Sequence, residues 1–319
     1  MFLRQFHYVV ALEQESHFGR AAERCNVSQP TLSSGIKHLE EELGIPIILR
    51  HQKFQGFTDE CLRIVEWSKR LLADRAAMME ELAIMRDTMQ GRLRIGAMPM
   101  SSPLLPIFSR IFNERYPSVQ IDIQFLGFDQ MTLGLTNFEL DVGITYLDQQ
   151  PLDRFMTMPL YEDRLSLLLP DNDWLDEKPT VTWEDAATLP LCLLSPFMHE
   201  RGIMDDAFSE ANCEPRPKME SNSIFQLAFH VMSGDVATIV PENFTRANNA
   251  FKGTHEKVLS NPTVSQKIGL VWAKGTPIQP MAKATVDLME EAVSGGRLQS
   301  ALKSSDARNS KTNGAASVN

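Results

Sequence analysis

Cysteine is scarce in this chain. Its four residues, Cys25, Cys61, Cys192 and Cys213, are scattered and form no CxxC or CxxH unit. Neither a zinc site nor a disulfide framework is therefore expected, and a reducing, cytoplasmic setting fits. Long apolar runs are also missing; none reaches the roughly 18 residues of a membrane span. The opening MFLRQFHYVVALEQESHF has one short apolar segment, followed by Glu13 and Glu15 and no small-residue cleavage site, so it does not read as a signal peptide. No GxSxG, P-loop, HExxH or dinucleotide fingerprint occurs, so no catalytic residue and no cofactor is expected. His199 beside Glu200 could imitate an acid–base pair, but neighbours in a helix point apart, and the two read as solvated. A basic excess is lacking as well. The net charge of −10 at first argues against nucleic acid. Its distribution says more: residues 1–58 carry six basic and six acidic side chains, so the whole deficit lies on the remainder. A neutral head on an acidic body binds DNA weakly as one copy and needs multiplication by oligomerisation.

What is present organises around Phe18–Gly44. Ala21, Ala22 and Cys25 give a first short helix a small, apolar edge, and Asn26 and Val27 make the turn. Ser28 is placed to cap a second helix, and Pro30 costs little near its start. Leu32, Ile36, Leu39 and Leu43 form one apolar stripe, and Gly44 stands where a helix C-terminal glycine is expected. Two helices joined this way form a helix-turn-helix, the second entering a major groove. Ahead of it, residues 2–14 read as a further helix, and Ser16 is placed to cap the next one. After Pro46, Ile47–Leu49 and a segment from Phe57 read as a hairpin with Arg50, His51 and Lys53 in its loop. Beside a helix-turn-helix, that is a wing for phosphate or minor-groove contact.

Thr58 then opens an uninterrupted helical pattern without Pro or Gly until Gly91, on the order of 48 Å long. Ile64, Leu71, Met78 and Met85 repeat every seventh residue, with Val65, Leu72 and Met79 beside them. Such a seam wants a partner helix. Ser68 and Arg75 interrupt the second row, which favours a short or antiparallel pairing. From Arg92, strand and helix patterns alternate, which indicates a parallel sheet covered by helices. LSLLLP at 165–170 begins a second unit, and KIGLVWA at 267–273 returns to the first. The expected division is a head at 1–58, a linker helix at 59–90 and an α/β body at 91–295. The body's first lobe takes about 91–162 and 267–295, its second about 163–266. Residues 296–319 read as a disordered tail.

The run AAERCNVSQPTLSSGIKHLEEELGIPIILR resembles the signature of the LysR-type transcriptional regulators: Ala21 and Ala22; Ser28, Gln29 and Pro30; and Leu39, Glu40, Glu42, Leu43 and Gly44. The order of parts is similar to about residue 295. The resemblance implies a winged helix-turn-helix, a dimerising linker helix and a two-lobed effector domain like the periplasmic binding proteins (type 2). It further implies homotetramers on double-stranded DNA, with RNA polymerase as an additional partner. Two departures stand out. Ser34 and Gly35 occupy places where members often carry a basic or long polar residue, and interior glycine costs a helix about 1 kcal/mol relative to alanine. Gly35 either lets the backbone approach DNA or is merely tolerated. Thr58, Asp59, Glu60 and Cys61 replace the usual Thr-x-Ala-Gly turn.

These readings nominate Arg20, Ser28, Gln29, Thr31, Ser33, Ser34, Lys37 and His38 for DNA contact, with Arg50 and Lys53 from the wing. In two-lobed domains ligands sit at the C-terminal ends of strands, where helix N-termini favour anions. Met100, Ser101, Ser102, Phe128, Thr145, Ser195, Phe197, Arg201 and Asn222 are nominated there. The expected effector is a small anionic metabolite such as a carboxylate, held by the serines with Arg201 nearby and the serines otherwise serving as helix caps. The function expected is an effector-responsive regulator of a metabolic operon. The alternatives are an architectural DNA binder with no working pocket, or an enzyme or solute binder on the same two-lobed fold.

Overall fold

The computed structural model describes residues 1–50, 54–84, 89–148, 151–172, 174–175, 177–178, 180–242, 244–245, 251–275 and 277–304. Three helices open the chain: α1 (Leu3–Glu15), α2 (Phe18–Arg24) and α3 (Gln29–Leu43). Their apolar faces meet in one core of Phe6, Val9, Leu12, Ala21, Ala22, Leu32, Ile36 and Leu39. The caps differ from expectation at one place. Ser16 is the left-handed C-terminal residue of α1, and His17 caps α2 instead, its Nδ1 accepting from the backbone of Gly19 and Arg20. Ser28 does cap α3, and Gly44 ends it at φ 71°. Strands β1 (Ile48–Arg50) and β2 (Phe54–Phe57) pair antiparallel as the wing. The Glu40 carboxylate fastens the wing to α3 by accepting from the backbone of Ile47 (2.8 Å) and Ile48 (3.1 Å).

Helix α4 (Asp59–Ile84) runs for 26 residues, about 39 Å. Thr58 caps it, Oγ1 accepting from the Cys61 backbone. Its first turns bury Cys61, Val65 and Ser68 against the head. Ile64 and Val65, which open the two expected rows, are therefore used within the chain, while Met85 lies outside the described residues. What α4 leaves exposed is the middle of the first expected row, Leu71 and Met78, joined on the same face by Trp67 and Leu82, and Met79 of the second row. Lys69 joins the head to the body, its ammonium 3.5 Å from Glu13 of α1 and 3.7 Å from Glu139 of the body.

The body opens with β3 (Gly91–Ala97), α5 (Leu105–Arg115), β4 (Val119–Phe125), α6 (Phe128–Thr136) and β5 (Val142–Tyr146). Strands β4, β3 and β5 are parallel, as the alternating pattern demands. Met131 of α6 lies over Gly96 and Gly143, where a Cβ would come within 3.1 Å and 2.6 Å of it; the two glycines let α6 press onto the sheet. Next comes β6 (Phe155–Pro170), a single strand of 16 residues. The sequence pattern showed only its last third. After it follow β7 (Val181–Thr182), α7 (Trp183–Ala187), β8 (Cys192–Leu194), α8 (His199–Glu210), β9 (Met219–Ser221), α9 (Ile224–Val231), β10 (Thr238–Pro241), β11 (Thr254–Ser260) and β12 (Ser265–Ala273). The main sheet is ordered β4-β3-β5-β12-β6-β11-β7, with β10 also on β6.

Two lobes follow from this order. The first half of β6 pairs with β12 beside β5, and the second half pairs with β10 and β11. The β6–β12 ladder slips register between Ile268 and Gly269, within the first lobe, and β6 passes to the second lobe after Arg164. A side chain at Gly269 would collide with the Met158 carbonyl. Helix α10 (Pro280–Ser294) then covers the first lobe. The tail begins later than expected: α11 (Arg297–Ser304) is a helix anchored by fully buried Leu298, against α10 and α5. Residues 305–319 lie outside the described residues.

Candidate functional sites

The outer face of α3 carries the residues named for DNA contact. Gln29, Thr31, Ser34, Lys37 and His38 are exposed, and Ser33 is half-buried. Some already have partners. The Thr31 hydroxyl meets that of Ser28 at 2.8 Å, Lys37 stands 3.7 Å from Glu41, and His38 stands 3.7 Å from Glu42. Arg20 donates to the Glu15 backbone carbonyl at 2.6 Å and shares that carboxylate with Arg24. Gly35 is explained from the other side. A Cβ there would stand 2.7 Å from the ring of Tyr8. The glycine thus serves the close crossing of α1 on α3, not an approach to DNA. Of the wing residues, Arg50 places its backbone in β1; its side chain, and Lys53 entirely, lie outside the described residues.

A second site is the cleft between the lobes, about 710 Å³. Met98 and Pro99 after β3, Phe125–Gly127 after β4, Phe128–Met131 of α6, and Thr145 and Tyr146 at the end of β5 line it from the first lobe. Phe197–Glu200 at the start of α8 and Asn222 after β9 line it from the second. Four nominated residues are thus brought together: Phe128, Thr145, Phe197 and Asn222. Five are not. Met100 and Ser101 are buried in the turn after β3, where Ser101 donates to the Met98 carbonyl (2.8 Å) and Ser102 to that of Pro99. Neither serine caps α5, whose cap position is Leu104. Ser195 sits in the loop after β8, its N–H bonded to Ser221. Arg201 is held away from the cleft: it donates to Asp205 (2.8 Å), to the Leu194 carbonyl (2.7 Å) and to Glu220 (2.7 Å). It ties α8, β8 and β9 together. The expected cluster of serines and arginine around an anion is not assembled.

The sequence had pointed away from Glu200. It is 8% exposed, not solvated, and burial pushes its carboxyl above the usual range. Exposed His199 beside it is turned onto Tyr146, ring centroids 5.9 Å apart. Among the described residues no cluster suited to a metal ion occurs, and no helix is long and apolar enough to cross a membrane.

Comparison with known proteins decides the family. The profile of the LysR substrate binding domain matches residues 86–294, and that of the bacterial regulatory helix-turn-helix protein, lysR family, matches residues 3–61. The chain belongs to the LysR family. It is a DNA-binding transcriptional regulator of that type; members of the family are regulators, not enzymes. Among LysR-type relatives, the hydrogen peroxide-inducible genes activator of Pectobacterium carotovorum subsp. carotovorum is 27% identical, over 92% of this chain and 98% of that protein. The DNA-binding transcriptional dual regulator OxyR of Escherichia coli (strain K12) is also 27% identical, over 88% of this chain and 92% of that one. Full-length OxyR from Pseudomonas aeruginosa, in a variant form, superposes with a TM-score of 0.70 at 26% identity, covering 92% of this chain and 94% of that one. The LysR-type regulator CbnR, solved with its target DNA, shares the fold at a TM-score of 0.65 and 19% identity, over 92% of this chain and all of that one.

Proposed function

We propose that this protein controls a metabolic operon from the cytoplasm in response to a small molecule bound between the lobes of its body. It acts as a dimer joined along α4 and as a tetramer of two such dimers, with RNA polymerase as its further partner. The observation that carries the effector reading is the cleft itself: about 710 Å³, lined from both lobes at the C-terminal ends of β3, β4 and β5. That is the place and size of a small-molecule site in such folds. A ligand there touches two bodies, so it binds one relation between them better than another and shifts their balance. Dimerisation is supported by the exposed stripe Trp67, Leu71, Met78 and Leu82, four large apolar side chains on one helix face.

The response named for the peroxide-inducible relatives is not carried over. A thiol that reacts with peroxide does so as an accessible thiolate. Cys61 and Cys192 are fully buried, and burial pushes their thiols up to about 12 and about 11. Burial also raises Cys25 and Cys213.

The test is a gel shift and footprint of the full chain on the intergenic DNA beside its gene, with and without metabolites of the neighbouring operon. A footprint whose length or affinity changes with one of them is expected. An unaltered footprint across the whole panel would leave an architectural DNA binder.

A further inference from the structure

Charge in the cleft is unevenly supplied. Helices α6 and α8 both point their N-termini into it, and neither has a side-chain cap at Gly127 or Met198. Each N-terminus contributes roughly half a positive charge. Taken alone they would draw an anion. Yet each carries its own carboxylate at the second helical position, Asp129 on α6 and Glu200 on α8. Two full negative charges outweigh two half positive ones. The lining residues include no lysine or arginine to restore the balance; His199, beside Glu200 and turned onto Tyr146, is the one lining side chain that can carry positive charge.

The remaining surface agrees. Phe125, Phe128 and Phe197 offer aromatic faces, two of them largely exposed. Aromatic faces attract cations as well as apolar groups. Behind them stand polar groups that face the cavity. Thr145 and Tyr146 are 3% and 4% exposed, and both line the cavity. Glu200 is over nine-tenths buried; its carboxylate accepts from its own backbone N–H and has the His199 ring as its charged neighbour. Buried polar groups are ordinarily paired; these three line an open cavity.

We propose that the cleft selects a cation with a flat apolar body, an aromatic or heterocyclic amine, amidine or guanidine, held by Glu200 and Asp129 and stacked on the phenylalanine rings. This rests on the effector reading above and replaces the anion expected from the sequence. The two carboxylates come from opposite lobes. A cation between them relieves their repulsion and favours the closed arrangement, which gives the ligand the differential affinity that a regulatory response requires. Burial raises the Glu200 carboxyl, and a cationic ligand would bring it back down.

The test uses the full-length protein and three probes of similar shape and different charge: benzamidine, benzyl alcohol and benzoate. Calorimetry is expected to show benzamidine binding at least about tenfold tighter than the other two. Glu200→Gln is expected to weaken benzamidine by about ten- to a hundredfold, the range for losing a charged hydrogen bond, and to leave benzyl alcohol unchanged. Asp129→Asn, at an exposed position that does not threaten folding, is expected to act in the same direction more weakly. Glu210→Gln at the far end of α8 should change nothing. Tighter binding of benzoate overturns the proposal, as does benzamidine binding indifferent to both Glu200→Gln and Asp129→Asn, and so does silence from all three probes. Operator footprinting of the same samples without any probe separates these outcomes from failure of the regulator reading, because the unliganded protein is itself expected to bind DNA.

Discussion

Replacing Gly35 by alanine sets two known effects against each other. On helix propensity alone the substitution should stabilise α3 by about 1 kcal/mol. Against this, the new methyl would sit 2.7 Å from two carbons of the Tyr8 ring, where ordinary contact begins near 3.4 Å. The ring must retreat by about 0.7 Å, yet Tyr8 is only 7% exposed, and the α1–α3 crossing is also pinned by Gln5 donating to the Gly35 carbonyl. Overpacking of this kind costs about 1–3 kcal/mol. The net expectation is destabilisation by up to about 2 kcal/mol. Shrinking Tyr8 to leucine should remove the collision, so that Gly35→Ala in that background stabilises by about 1 kcal/mol. The coupling between the two positions is thus about 1–3 kcal/mol. Hydrogen exchange followed by mass spectrometry on α1 and α3 peptides of the intact protein reads this locally. Slower exchange for Gly35→Ala in the native background would refute the packing account and return the glycine to a role at the DNA.

Burial raises the Asp163 carboxyl to about 8. The folded state therefore binds a proton that the unfolded chain has lost, and stability from this group is full below about pH 4 and lost as pH rises toward 8. Asp163→Asn should flatten that part of the stability profile and stabilise the protein at pH 8 by a few kcal/mol, as measured by urea denaturation across pH. Leu71→Asp with Met78→Asp, both in the exposed α4 stripe, should lower the oligomeric state in sedimentation and weaken operator binding more than tenfold; unchanged assembly would place the dimer contact elsewhere. Hydrogen peroxide should leave the footprint as it is, because all four thiols are raised; a peroxide-dependent footprint abolished by Cys192→Ser would contradict the burial argument.

The head was legible because its signals are local. Helix periodicity, the Ser28 cap and the Gly44 terminus lie within one stretch, and each is visible without knowing what it packs on. The alternation of strands and helices in the body was legible for the same reason. Strands β7, β9 and β11 were not, being two or three residues long or half-exposed. The front of β6 was hidden because MTMPLYE shows no regular alternation of exposed and covered positions, has Thr157 as its one β-branched residue and carries Pro159, which argues against a strand. The cleft was half legible. Strand ends could be guessed, but which side chains turn inward depends on partners far along the chain. Arg201 looked free until Glu220 of β9 came beside it. Glu200 looked solvated until α8 was set against β5 and Tyr146.

The long strand β6 has a mechanical consequence. It belongs to both lobes: β12 runs beside it up to Arg164, and β10 and β11 run beside it from Leu165. The lobes share one continuous strand, hydrogen-bonded to neighbours on either side of the passage, so closing the cleft must flex a leaf spring instead of swinging a door. The ladder that braces the spring on its first-lobe side is already interrupted at Ile268 and Gly269, opposite Tyr161 and Pro159. A stiff joint of this kind trades amplitude for fidelity: a ligand moves the lobes only slightly, but every molecule that binds it settles into the same geometry.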